Sequence, residues 1–220
     1  LSTAYPLLKR EYAWWMNDST GHSVNITQKN QTFTLNRYFS ENILPRPESF
    51  LEDFNSARPL KQCTASSDNV NNSEDYAPYC KQFFYQNIRA GAESGWDFSS
   101  RWGAQKNSTT SISTNQIIPV DLNSIMFNQE QNLAYFADYL GNNKESEFYE
   151  NSAKKRQNAI FSVLYSESNK QFYDYNLTSN PSQNTNTRVH ADVDVVLGEG
   201  VVVDGSLKEN IYGRPNDLLV

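Results

Sequence analysis

The chain has 220 residues, 25 acidic against 19 basic, a formal net charge of −6 and 38% hydrophobic residues. That is enough apolar material for one sizeable core, and the scattered Lys and Arg exclude a reader of nucleic-acid backbones, which needs clustered positive charge. No stretch approaches the roughly 20 unbroken apolar residues of a membrane helix, because the most apolar run, "VVLGEGVVV", is broken by Glu199.

In chain order, "YPLLKREYAWWM" puts Leu8, Tyr12 and Trp15 at helical spacing, with Pro6 suited to a first turn. Polar turn residues then give way to the alternating "TFTL", which predicts a long loop or a short hairpin. After "PRP" a second helix is expected with Phe50, Leu51 and Phe54 on one side, stopping before Pro59. A third is expected from about Glu74 to Ala90, with Cys80, Phe83, Phe84 and Ile88 as its stripe and Gly91 as its stop. From Asp121 the spacing of Ile125, Met126, Leu133, Phe136, Ala137 and Leu140 predicts a long helix ending at Gly141. Asn142 with Glu145 then makes a capping-box-like start to a fifth helix that continues through Phe148, Ile160, Val163 and Leu164. So short a link makes these last two an antiparallel pair. Repeated pairs with long polar loops predict an all-α array or toroid.

From Ser179 the character changes to a linker-like "NPSQNTNT" and a Val-rich, Gly-containing tail that favours strands. The expected division is therefore 1–178 as a helical domain and 179–220 as a divergent tail. Cys63 and Cys80 are compatible with a disulfide or with two thiols. Sequons at Asn17, Asn25, Asn30, Asn71, Asn107 and Asn176 point to a secretory route. The start at Leu1, without an initiator Met or a basic-then-apolar leader, fits a leader that is removed or was never present.

The chemistry narrows by elimination. His22 and His190 are far apart and belong to no zinc motif, so no metal is expected, and the chain holds no Walker loop and no Gly-x-Ser-x-Gly elbow. Carboxylates remain. Asp97 stands between Trp96 and Trp102 in "AGAESGWDFSSRWG". Its plain structural reading is an N-cap for a helix starting at Phe98. Its functional reading is sugar chemistry: indole faces stack on the C–H faces of pyranoses, and a carboxyl group beside an indole loses hydration and is readied to donate a proton. In "PRPES", Arg46 and Glu48 read either as a stiff helix entry or as a fixed donor and acceptor facing a polyol. Asp121 reads as a helix cap, and Tyr12, Trp14 and Trp15 as core.

"PLLKREYAWWM", "TLNRYFSENILPRPESFLEDF", "AGAESGWDFSSRW", "IIPVDLNSIMFNQEQNLAYFADYLGN" and "FYDYNL", in this order, resemble the trehalases of glycoside hydrolase family 37, a resemblance that covers about residues 1–177. It implies part of an (α/α)6 toroid with the active site carried on long loops, and hydrolysis of α,α-trehalose to two glucose molecules with inversion and without a cofactor. It also implies site roles: Asp97 as the general acid, Arg46 and Glu48 on the sugar hydroxyls, and Gly95 lining the site. The expected partner is the small sugar alone, with no nucleic acid. The family's base, a Glu in its C-terminal third, has no matching segment, and both family signatures, Pro-Gly-Gly-Arg-Phe and Gln-Trp-Asp-x-Pro, are missing. The chain is thus expected to hold the acid half of the site, to be nearly inactive alone, and to leave apolar helix faces uncovered. Secretion, or a membrane anchor through a missing C-terminal part, is what the sequons and the family allow. The alternative is a non-catalytic sugar-binding or regulatory relative.

Overall fold

The computed structural model describes residues 1–60, 80–103 and 111–178, and the backbone alone of 73–79 and 188–190. Five helices carry most of it: α1 (Tyr5–Trp15), α2 (Phe50–Ala57), α3 (Ser73–Glu93), α4 (Val120–Tyr139) and α5 (Asn143–Ala159). Six short strands accompany them: β1 (Ser23–Gln28), β2 (Gln31–Asn36), β3 (Ile117–Ile118), β4 (Tyr165–Ser166), β5 (Gln171–Asn176) and β6 (Arg188–His190). The fold is mostly helical, and the all-helical expectation is corrected by these small sheets.

β1 and β2 form a hairpin, from Ser23 opposite Asn36 to Gln28 opposite Gln31. Its two-residue turn sets Lys29 and Asn30 at φ 49° and 62°, the geometry whose twist matches paired strands. Ile26, Phe33 and Leu35 point inward and join Val120, Ile160, Val163 and Leu164 in one apolar cluster. β5 pairs antiparallel with β3, β4 and β6. The second cluster packs α1, α3 and α4 around Tyr12, Phe84, Trp102, Met126 and Leu133.

α4 and α5 pack as the expected antiparallel pair. Gly141 takes φ 74° at the link, and the Asn142 side chain accepts the Glu145 N–H at 3.3 Å as an N-cap. The Glu145 carboxylate leaves the cap and ties α5 to α1, accepting from Lys9 Nζ at 2.7 Å and from Tyr5 Oη at 2.8 Å. Those hydrogen bonds, Lys9 first, hold its carboxyl below the usual range. α5 continues into a π-helical turn, Ile160–Leu164, which turns Ile160, Val163 and Leu164 into the core.

Several helix expectations change, and among them Trp14, read as core, and Ile125 and Leu140, expected on the α4 stripe, lie exposed. In α2 the buried residues are Asp53 and Ala57, while Phe50, Leu51 and Phe54 lie exposed. α3 runs through Gly91 to Glu93. A Cβ on Gly91 would stand 3.1 Å from both Ile112 and Phe98, so this glycine permits close packing and does not stop the helix. Phe148 is exposed, with Tyr149 buried in its place.

A polar network that periodicity does not reveal joins four elements. Arg156, 3% exposed, donates from Nε to Glu130 Oε1 at 2.9 Å, from Nη1 to Asn36 Oδ1 at 2.9 Å and to Asn123 Oδ1 at 3.1 Å. Tyr12 Oη donates to the same Glu130 oxygen at 3.0 Å, and Asn36 Nδ2 to Trp15 O at 2.7 Å. So α1, β2, α4 and α5 meet on one guanidinium, and its charge stays hydrogen-bonded inside the protein.

Cys80 is buried and disulfide-bonded, whereas Cys63, Asn71, Asn107 and the Val-rich tail lie outside the described residues. Asn17, Asn25 and Asn30 are exposed. No helix among the described residues is long and apolar enough to cross a membrane.

Candidate active site

α3 delivers Asp97 through a tight turn. Ser94 N–H still bonds Ala90 O at 3.2 Å, Gly95 N–H bonds Ala92 O at 3.2 Å, and Gly95 takes φ 70° to end the helix. A Cβ on Gly95 would meet nothing within 4 Å, so the space beside this turn is open. Ser94 Oγ then accepts the Trp96 N–H at 3.0 Å, and Trp96 O accepts both Ser99 N–H at 2.8 Å and Trp102 Nε1–H at 3.0 Å. Asp97 caps no helix. The cap of the following 3-10 turn, Ser100–Trp102, is Ser99, whose side chain accepts the Arg101 N–H. The two indoles differ in role: Trp102 is wholly buried, while Trp96 is 42% exposed beside an exposed Asp97.

Arg46 is the residue on which the candidate groups converge. Its backbone N–H and its Nε both donate to Asp53 Oδ2 at 2.9 Å, and Nη2 donates to Asp53 Oδ1 at 2.8 Å. Asp53 lies in the first turn of α2 and is 1% exposed. Asp53, rather than Glu48, is therefore the bidentate partner, and it fixes the guanidinium plane. The plane lies over the Phe98 ring, 4.9 Å from its centroid, which joins "PRPES" to the residue after Asp97. The hydrogen bonds to Asp53 hold Arg46 above its ordinary value against burial, and the charges of Asp53, Glu48 and Asp97 add to this. Arg46, Glu48 and Asp97 thus share one electrostatic neighbourhood, with Glu48 and Asp97 both exposed.

Behind Asp97 stands a second clamp. Arg101 donates from Nε and Nη2 to Asp174 at 2.8 and 2.7 Å, and from Nη1 and Nη2 to Asp121 at 3.0 and 3.1 Å. Its guanidinium lies 4.7 Å from the Trp102 ring and 5.5 Å from the Trp96 ring, so it steadies the loop on both sides of Asp97. Burial lowers Arg101, but its bonds to Asp174 and the charges of both carboxylates outweigh that and keep it charged. Burial pushes the Asp174 carboxyl up, while Arg101 and the Val120 N–H oppose. That N–H, 2.9 Å from Asp174 Oδ1, makes Asp174 the anion at the start of α4. Asp121, read from sequence as the cap, instead serves Arg101. Asp53, Asp121 and Asp174 all sit in segments quoted above for the family resemblance. For Asp121 and Asp174 the signal that could have found them is a lone carboxylate inside an apolar or aromatic run, whereas Asp53 follows Glu52 and carries no such signal.

A cavity of about 540 Å³ opens between α1 and α4, lined among others by Leu8, Trp15, Tyr38, Glu93, Met126 and Asn132. It includes neither Arg46, Glu48 nor Asp97, so the convergent polar groups and this recess are separate features. Among the described residues no cluster of three or more His, Cys, Asp or Glu could hold a metal ion.

A family model described as trehalase matches residues 1–193. The chain belongs to the trehalase family. It is 37% identical over 179 residues to a trehalase of Dictyostelium discoideum, covering 80% of this chain and 27% of that protein. It is 34% identical over 181 residues to a trehalase of Pimpla hypochondriaca, covering 80% and 28%. It is 35% identical over 184 residues to a periplasmic trehalase of Escherichia coli O1:K1, covering 81% and 30%. The chain therefore spans less than a third of the length of these trehalases.

Proposed function

We propose that this chain forms part of an enzyme that hydrolyses α,α-trehalose with inversion at one anomeric carbon. Asp97 is its general acid, Arg46 and Glu48 bind the sugar hydroxyls, and Gly95 lines the site. The observation that carries this reading is the clamped Arg46 guanidinium over the ring of Phe98, the residue after Asp97, with the open space at Gly95 on the same turn. An exposed acid next to a clamped guanidinium suits a sugar that brings its own bulk to exclude water.

In the proposed reaction Asp97 gives its proton to the glycosidic oxygen as the bond to one anomeric carbon breaks. A second carboxylate takes a proton from a water attacking that carbon from the opposite face. Inverting hydrolases separate the two carboxyls by roughly 6.5–9.5 Å to admit the water. The products are one β-glucose, from the attacked ring, and one α-glucose, from the leaving ring. The base is proposed to lie outside residues 1–220, so the chain alone releases no glucose. Residues 1–178 are proposed as part of an (α/α)6 toroid, and 179–220 as a divergent tail whose β6 pairs with β5. A secreted, glycosylated protein is the compartment reading consistent with the exposed Asn17, Asn25 and Asn30 sequons.

The test is proton NMR of the first products released from trehalose by the full-length enzyme. Equal initial α- and β-glucose, and a loss of roughly 10²–10⁴-fold in kcat for Asp97→Asn, are expected. Release of α-glucose alone, or an Asp97→Asn variant with unchanged kcat, sinks the assignment. Trehalose binding without any turnover by the full-length protein would favour the sugar-binding alternative.

A further inference from the structure

α3 does more than lead to the acid-bearing turn, because one row of its side chains also holds the strap that carries Arg46. Gln86, Arg89 and Glu93 are three and four positions apart and share a helix face. Glu93 Oε2 accepts the Phe39 N–H at 3.0 Å, Gln86 Nε2 donates to Glu41 O at 3.2 Å, and Arg89 donates from Nε to Leu44 O at 2.8 Å and from Nη2 to Pro45 O at 2.5 Å. The contacts bracket the strap from Phe39 to the carbonyl immediately before Arg46, and Asn115 holds Ser40 between them through its Oδ1 and Nδ2. Glu93 is itself braced: both its oxygens lie 2.9 and 3.1 Å from Nε2 of His22. His22 is 4% exposed and packed among the rings of Trp14, Trp15 and Phe39.

We propose that Arg89 and Glu93 are positioning residues that fix Arg46 and Glu48 relative to Asp97, with His22 holding the Glu93 carboxylate in place. The inference rests on the functional reading above. Its physical basis is that the acid and the sugar-binding pair sit on different segments that α3 touches at once. Glu93 is the last residue of that helix, and Asp97 follows four residues later. Arg46 is locked to Asp53, so strap, Arg46 and α2 move together. Released from α3, this unit shifts against Asp97, and misplacement of about 1 Å at a reacting centre costs up to roughly 10²-fold in rate. Arg89 touches neither proposed sugar contact nor acid, so its effect reaches the reaction only through the strap.

The experiment compares Arg89→Met, Arg89→Lys and Glu93→Gln with the wild type in the full-length enzyme. Steady-state kinetics on trehalose are combined with amide hydrogen exchange. For Arg89→Met, kcat is expected to fall about 10–100-fold, with partial recovery in Arg89→Lys, whose ammonium can still reach one carbonyl. Exchange is expected to quicken at Phe39–Leu44 and to stay unchanged within α4 and α5. Kinetic constants within twofold of wild type for both Arg89→Met and Glu93→Gln overturn the proposal. So does unchanged exchange in the strap, whatever the activity. A wild-type enzyme that releases no glucose from trehalose would defeat the functional reading instead, and the exchange data would still decide whether α3 holds the strap.

Discussion

Replacing Arg101 by Met tests the clamp behind Asp97. The substitution keeps an unbranched apolar stem but removes four hydrogen bonds to two carboxylates. Asp174, wholly buried, is left with the Val120 N–H as its remaining donor. Stripping one partner from a buried pair costs about 3–5 kcal/mol, because the other charge stays desolvated and unpaired. That lowers the ratio of folded to unfolded protein by roughly 10²–10⁴-fold. The loss is pH-dependent in a defined direction. Burial already pushes the Asp174 carboxyl up and Arg101 opposes it, so without Arg101 the folded-state value rises further above that of the unfolded chain. The protonated carboxyl then stabilises the variant at low pH, and this contribution is lost as pH rises through the folded-state value. Urea unfolding of the full-length protein, followed by tryptophan fluorescence, should show a larger penalty at pH 8 than at pH 5. Asp174→Asn in the Arg101→Met background should recover part of it by removing the charge. A penalty below about 1 kcal/mol at pH 8 would refute the argument, since a screened surface pair costs no more than that. So would equal penalties at both pH values.

Other outcomes follow from single contacts. Gly21 has φ 73° and a Cβ there would fall 2.3 Å from the Phe39 ring, whereas Gly141, at φ 74°, has nothing within 4 Å. Gly141→Ala should cost only about 1–2 kcal/mol for the left-handed backbone, and Gly21→Ala a further 1–3 kcal/mol of overpacking, read as separate urea midpoints. The Lys9–Glu145–Tyr5 clasp holds the Glu145 carboxyl low, so its contribution is present above the unfolded value and lost as pH falls through the folded one. Glu145→Gln should therefore cost under about 1 kcal/mol at pH 7, the pair being a third exposed and screened, and nothing once both forms are protonated at acid pH. Asn142→Ala, which removes the α5 cap, should lower stability by about 1 kcal/mol.

The parts of this architecture that could be read from the sequence are those set by neighbours along the chain. The Leu133–Ala137 spacing, the stop at Gly141 and the Asn142 cap are local, and α4 and α5 appear where they were expected. α2 fails for a physical reason: Phe50, Leu51 and Phe54 satisfy a helical stripe, but the side that turns inward is the one whose Asp53 receives Arg46. Gly91 fails because glycine both ends helices and admits close neighbours, and only the positions of Ile112 and Phe98 tell which applies. The neighbourhood of Arg46 was legible as two motifs but not as one place. What joins them is a ring contact to Phe98 and a carboxylate seven residues downstream, and neither leaves a periodic trace. Arg101 and Arg156 were invisible for the same reason, since their partners lie far off in the chain.

The guanidinium of Arg156 bears on how the molecule assembles. α4 and α5 are adjacent and joined by a short link, so they can meet early, when few loops have closed. Yet Arg156 cannot shed its water profitably against Glu130 alone. The oxygens of Asn36 and Asn123 complete its shell, and Asn36 arrives only when the β1–β2 hairpin docks. The buried charge of Arg156 is therefore fully hydrogen-bonded only once segments from the first and last thirds of the described chain are both in place.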